Sequence, residues 1–314
     1  MKSRSTALPA LALVAITAVW GSTFFMIKDL VVSVPPLDFL GVRFAIAAAV
    51  VALFAGRRLV SCSRRTWTRG LAAGAVYASA QILQTYGLQT ADASVSGFIT
   101  GMYVVLTPVL LFLVFRAETG RRVWLAVVLS TVGLSILSLD GFSVGIGEFL
   151  TLLGALLYAV HIVLLGRWAG EEKGVDLASI QMIAIGAICG VACLPGGVAL
   201  PSGPGGWAAV LYMALVSGLL ALIVQTWAQA RIPAASAAVI MTTEPVFAAL
   251  FAILFGGESL TWRLALGGGL VLGAMLLAEL APSSAPIDEG AAPSSSINED
   301  EARGLEAALD PRER

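Results

Sequence analysis

Charge is what this chain has least of. Only 12% of its 314 residues are Asp, Glu, Lys or Arg, where a soluble domain carries about 25%. That scarcity excludes a water-facing globule of this size. Histidine is nearly absent too, and the single His161 excludes zinc sites built on several histidines. The three cysteines, Cys62, Cys189 and Cys193, are too few and too scattered for a disulfide framework or a metal quartet. The net charge is −1, with no basic patch interleaved with aromatics, so nucleic acid is not expected as a partner. No His-Glu-x-x-His, Ser/Lys pair or close pair of acids is found, and no GxxxxGK phosphate loop. An enzyme, a resident cofactor or metal, and ATP-driven transport by this chain alone are therefore not expected.

What is present is apolar. Hydrophobic residues make up 58% of the chain and the mean hydropathy is +0.89. A membrane span needs about 20 mostly apolar residues. Ten candidates fit, at roughly 8–28, 37–56, 70–90, 94–115, 123–140, 147–166, 177–199, 207–230, 233–255 and 262–281. The first follows a short basic N-terminus like a signal peptide. It is too long for a signal peptide's apolar core and lacks a small-x-small cleavage site, so it reads as a retained span.

Lys and Arg in the loops set the orientation. With the N-terminus inside, the cytoplasmic segments hold thirteen of them, from Lys2 and Arg4 to Lys173 and Arg231. The other side holds Lys28 and Arg263. Ten spans then place both termini in the cytoplasm. From Pro282 to Arg314 the composition turns to Pro, Ser, Ala and acid. Such a segment cannot bury enough surface to fold and is expected to be a disordered tail.

The most informative stretch is Ala234–Glu258, almost wholly apolar but interrupted near its middle by Glu244-Pro245. An acid at the centre of a span costs roughly 2.5–3.5 kcal/mol on insertion scales. A mid-helix proline also frees the carbonyl four residues back, at Met241. Glu244 is expected to serve as a gating or coupling acid facing a wet cavity, the plainer reading being a kink at Pro245 with the acid satisfied by a neighbouring helix.

The chain also repeats itself. Gln84-Thr85-Tyr86, Ala93-Ser94, Pro108, Glu118, Trp124 and Gly133 recur in order as Gln225-Thr226-Trp227, Ala235-Ser236, Pro245, Glu258, Trp262 and Gly273. Glu118 to Gly133 and Glu258 to Gly273 are both 15 steps, while the Gln-to-Pro interval is 24 against 20. Spans three to five thus match spans eight to ten. Five spans per half is an odd number, so matched spans cross in opposite directions. The expected architecture is an all-α integral membrane protein of ten transmembrane helices, arranged as two inverted-topology five-helix repeats. Inverted repeats are a recurring design of alternating-access transporters, with the site at the midplane between the halves.

With the Trp20-Gly21-Ser22-Thr23-Phe24 and Arg43-Phe44 elements of the first two spans, these motifs resemble the EamA/RhaT branch of the drug/metabolite transporter (DMT) superfamily. The resemblance covers residues 8–281. It implies a bacterial inner-membrane exporter or exchanger of small metabolites, with EamA repeats at 1–142 and 143–281 and the tail at 282–314. Family members carry varied cargo, amino acids among them. Thr107-Pro108 stands in the first half where the second has Glu244-Pro245, leaving one central acid.

Counting 1.5 Å per residue, Trp20, Tyr103, Tyr158, His161 and Glu244 all fall near mid-depth of their spans. They are expected to line one cavity, helix packing being the plainer role for each aromatic. Tyr158 and His161, three apart, share a helix face. His161 alternatively stays buried and neutral on a backbone carbonyl. Gln84 and Gln225 occupy matching places and either bond cargo or bridge helices. Arg43 is expected to snorkel or to pair with an acid such as Asp140 or Glu148, a structural or gate ion pair rather than a cargo contact. Glu118 and Glu258 fall at span ends and should stabilise loops. Small-xxx-small pairs at Gly70/Gly74, Gly97/Gly101, Gly186/Gly190 and Gly269/Gly273 permit close helix approach. Gly97/Gly101 and Gly269/Gly273 could also face a homodimer partner. The function expected is secondary transport of an amino-acid-like or drug-like metabolite, with proton coupling through Glu244. An uncoupled facilitator and a membrane sensor that binds without transport stand as alternatives, and the unit as monomer or homodimer.

Overall fold

The structure is a computed structural model and describes residues 7–116, 120–140, 143–168, 173–229 and 240–279. The expected tail, Glu118 and the Ala235-Ser236 motif lie outside these residues.

The first five helices are α1 (Ala7–Leu30), α2 (Pro36–Val60), α3 (Arg64–Gly87), α4 (Ala93–Gly101) and α5 (Tyr103–Phe115). Next come α6 (Arg121–Ser138), α7 (Ile146–Trp168), α8 (Gly174–Ala192) and α9 (Gly203–Leu211). A π-helical stretch, Tyr212–Leu220, runs on into α10 (Ala221–Gln229). The described chain ends with α11 (Glu244–Leu254) and α12 (Trp262–Glu279). Among the described residues the strand pairing is a two-residue antiparallel ladder, Leu139 with Val144 and Asp140 with Ser143.

Among the described residues, six helices are long and apolar enough to cross a membrane: Ala7–Leu30, Pro36–Val60, Ala93–Val114, Ile146–Leu165, Gly174–Ala192 and Gly203–Gln225. α3 has the length, but Arg64, Arg65 and Arg69 occupy its first six positions. The sequence places helix ends by ordinary chemistry. Pro36 opens α2 where a missing N–H costs nothing. Ser63 caps α3 by accepting from the Thr66 amide at 3.0 Å. Arg116, in the left-handed conformation at φ 54°, ends α5.

The helices pack α3 on α7 and α8, α2 on α8, α6 on α12, and α11 on α1 and α4. Between apolar helices in lipid the drive is van der Waals contact rather than the hydrophobic effect. Small residues therefore sit at the seams. Gly70 and Gly74 lie against Ile180 and Ala184 of α8, and Gly186 against Phe44 and Ala48 of α2. Gly21 of α1 and Gly97 of α4 both lie against Ala248 of α11.

Two expectations are corrected here. Gly97/Gly101 is no outward face, because its helix side is taken up by Ala248, Pro245 and Met275 of the same chain. Pro245 does not kink a continuous helix. The chain turns at Thr242-Thr243, and a new helix begins at Glu244 with Pro245 in its first turn. There its missing N–H breaks no bond. The first half has a comparable interruption, at Met102 between α4 and α5, six residues before Pro108 in the interior of Tyr103–Phe115.

Candidate functional site

One cavity of about 210 Å³ gathers the mid-depth polar residues. Its walls come from α1, α2, α3, α4, α5, α7, α8, the π-helical stretch, α10 and α11, while α6 and α12 pack on each other outside it. Of the expected site residues, Trp20, Arg43, Gln84, Tyr103, Tyr158, His161, Gln225 and Glu244 line it. Pro108 and Pro245 do not: Pro245 is buried against Gly97 and Gly101, and Pro108 lies inside α5.

Glu244 enters the cavity as the first residue of α11. A helix N-terminus carries partial positive charge, so this placement favours a carboxylate more than a mid-helix position would. Tyr103 Oη approaches Glu244 Oε2 at 3.5 Å, a long contact. Tyr103 is itself the first residue of α5, so the two helix restarts face each other across the cavity.

A hydrogen-bonded polar network lines the rest of the cavity. Tyr158 Oη donates to Gln84 Oε1 at 2.9 Å, and Gln84 Nε2 donates to Thr100 Oγ1 at 2.9 Å. Gln84 therefore bridges α3, α7 and α4, the structural role open to it from sequence. His161 Nε2 lies 2.7 Å from Gln181 Oε1. An amide oxygen only accepts, so Nε2 carries the proton in this arrangement. The partner of His161 is thus a side-chain amide of α8 rather than a backbone carbonyl. Tyr77 stands edge-on to Tyr158, with centroids 5.4 Å apart, and 5.1 Å from the His161 ring. Among the described residues, Gln225 Nε2 reaches Met241 Sδ, at 3.9 Å.

Three bonds tie the first helices to the π-helical stretch. Ser22 Oγ and Tyr212 Oη share one at 2.9 Å. Trp20 Nε1 donates to the Ser217 carbonyl at 3.0 Å, and Arg43 Nε donates to the Met213 carbonyl at 3.3 Å. Arg43 makes no ion pair among the described residues, so the expected pair with Glu148 is not formed, and the side chain of Asp140, the other acid expected, lies outside what the structure describes. Arg43 instead lines the cavity and donates to a main-chain carbonyl.

Tyr77, Gln81 and Gln181 belong to the site and were not singled out from sequence. A signal was available for two of them. Tyr77, Gln81 and Gln84 fall at i, i+4 and i+7, one polar stripe on an otherwise small-residue helix.

Away from the cavity, Glu258 takes the loop role expected of it. Its carboxylate accepts from the Ala93 amide at 2.6 Å, the Ser94 amide at 3.2 Å and Ser94 Oγ at 2.5 Å. Lys28 Nζ lies 3.2 Å from Glu258 and 2.7 Å from Asp92. The α11–α12 loop thereby caps α4 and holds the end of α1.

Known proteins share this architecture. The profile of the EamA-like transporter family matches residues 7–139 and, a second time, 145–280. This chain belongs to that family. The EamA-like family is a branch of the drug/metabolite transporter superfamily, and the chain is a multi-pass membrane transporter. A relative from Archaeoglobus fulgidus, named an uncharacterized transporter, is 31% identical over 273 residues, covering 86% of this chain and 84% of the relative. The inner membrane transporter YedA of Escherichia coli K12, likewise named as uncharacterized, is 27% identical over 278 residues, covering 86% of this chain and 90% of YedA. One crystal structure superposes with a TM-score of 0.62 at 16% identity, over 87% of this chain and 96% of the other, a likeness of fold alone.

Proposed function

We propose that this EamA-family transporter is an alternating-access secondary transporter of ten spans in the bacterial inner membrane, with both termini cytoplasmic. It exports or exchanges a small, amino-acid-like or drug-like metabolite through the cavity described above. The observation that carries this reading is the cavity's composition: side chains from both halves of the chain meet there, around a lone carboxylate at a helix restart. Interrupted helices with their N-termini at a central site are a recurring feature of secondary transporters.

The packing pattern supports two inverted repeats, here 1–142 and 143–281. Exchange the first five spans for the last five and the pairs largely map onto one another. α3 on α7 becomes the π-helical stretch and α10 on α1, and α1 on α11 becomes α7 on α4 and α5. α2 on α8, α6 on α12 and α4 on α11 each map onto themselves. The double match of the family profile supports the same division.

Glu244 is the gating or coupling acid of this reading. The test is flux in proteoliposomes under an imposed pH gradient, wild type beside Glu244→Gln, across a panel of metabolites. Gradient-driven flux of one class that the variant loses is the expected result. Flux that ignores the gradient in both would make the protein a facilitator. Undiminished gradient-driven flux in the variant would remove Glu244 from the mechanism.

A further inference from the structure

Arg43 is the charged group in the cavity that gating by Glu244 leaves without a task. It is 4% exposed, yet it lines the cavity. Its Nε bonds the Met213 carbonyl, and its guanidinium lies 4.9 Å from the Phe44 ring centroid and 5.8 Å from that of Phe39. Those contacts use one of five N–H donors. Burying a guanidinium with no carboxylate partner is costly, and two phenyl rings recover part of that cost only. Glu244 shares the cavity, but the contact it makes is with Tyr103.

A second group lining the same cavity is also incomplete. Gln81 Nε2 donates to Tyr77 Oη at 3.1 Å, while its Oε1 is buried and has no partner among the described residues. A buried unpaired acceptor carries a penalty of its own. The cavity therefore offers a cation with spare donors and a neutral acceptor with a spare lone pair. Both needs are met by one kind of molecule.

We propose that Arg43 is the anion anchor of the cargo site. It binds a carboxylate of the transported molecule, and Gln81 Oε1 accepts from an N–H or O–H of the same molecule. The cargo class is a small carboxylic acid that also carries a hydrogen-bond donor. A single guanidinium matches the charge and fork geometry of one carboxylate. The aromatic walls of Tyr77, Tyr158 and Trp20 suit an apolar body behind that group. This assignment rests on the transport reading, since it names what that cavity carries.

The test uses the full chain, purified in detergent and also reconstituted, with four probes: L-phenylalanine, 3-phenylpropionate, 3-phenylpropionamide and phenethylamine. Melting temperature reports binding and counterflow reports transport. Both carboxylates should raise the melting temperature of the wild type, and the amide and amine should not. Arg43→Gln should abolish the shift, and Arg43→Lys, which keeps charge but loses the fork, should weaken it by about ten- to a hundredfold in affinity. Gln81→Met should erase the difference between L-phenylalanine and 3-phenylpropionate. Equal shifts by amide and acid would overturn the proposal. So would no shift by either carboxylate at about 10 mM, well above a millimolar Kd. Should Arg43→Gln fail to fold, unchanged carboxylate affinity in Arg43→Lys refutes the anchor on its own. Binding without counterflow would sink the transport reading and keep the anchor. Counterflow of the acids retained by Arg43→Gln would do the reverse.

Discussion

Removing the Glu258 carboxylate is the sharpest test of how the helix ends are held. One side chain receives two backbone amides, a hydroxyl and an ammonium. The ion pair with Lys28 contributes little, because Lys28 is a third exposed, at 33%, and pairs open to solvent are worth about 0–1 kcal/mol. The cap is the larger part. Helix caps are worth about 1 kcal/mol and up to about 2. Ser94 is 2% exposed, so water cannot readily replace the lost acceptor, and a buried polar group left unpaired costs about 1–3 kcal/mol. Glu258→Ala should therefore destabilise the protein by about 2–3 kcal/mol. For a chain of this size that lowers the melting temperature by about 4–10 °C. The assay is thermal unfolding of the detergent-purified protein, with Lys28→Met as control. The control should fall by far less than the alanine variant. A Glu258→Ala melting temperature within about 1 °C of wild type would refute the capping argument. An equal loss in both variants would show that the ion pair, not the cap, carries the effect.

Two further perturbations follow from the packing and the polar network. At Gly21 a Cβ would sit 2.6 Å from Phe247 Cβ and 2.8 Å from the Ala248 amide nitrogen, a main-chain clash. Gly21→Leu should lower the yield of monodisperse protein sharply, while Gly56→Leu, with nothing within 4 Å, should not; size-exclusion chromatography after expression decides it. Tyr158→Phe removes the donor to Gln84 Oε1 and leaves a buried acceptor unpaired, costing about 1–3 kcal/mol. A matching fall in melting temperature is expected, and an unchanged one would mean that the Gln84 bridge holds no helices together.

Much of the cavity was legible in the sequence because lipid makes polarity conspicuous. A glutamate, a histidine, two glutamines and several polar-tipped aromatics stand out against apolar spans, and counting residues places them at one depth. Gln181 was missed because nothing local marks an amide as the partner of a histidine twenty residues away. The proline was read with the wrong geometry. Pro245 and a mid-helix proline look alike in sequence, and the turn that separates them is made by Thr242-Thr243, residues with no strong breaking tendency. Arg43 was expected to find an acid, but ion pairing depends on which spans become neighbours. Its actual acceptor belongs to the π-helical stretch, whose sequence YMALVSGLL reads like any apolar helix. Glu258 was placed at a loop, while its partners in α4, 164 and 165 residues upstream, needed the fold to be found.

That π-helical stretch has a mechanical consequence. A π-helix differs from an α-helix only in which carbonyl each amide selects, five residues back instead of four. Nine consecutive residues in that register make a helix wider and shorter than an α-helix of equal length. The span from Gly203 to Gln229 is thus shorter than an α-helix of the same residue count, and the register of the stretch sets the height and rotation at which Gln225 meets the cavity. Trp20 bonds the carbonyl of Ser217 and Arg43 that of Met213, four residues apart on the same stretch, and Ser22 bonds the Tyr212 hydroxyl at its start. Side chains of α1 and α2 therefore hold the stretch at the cavity wall, and the group proposed to bind cargo is one of those that hold it.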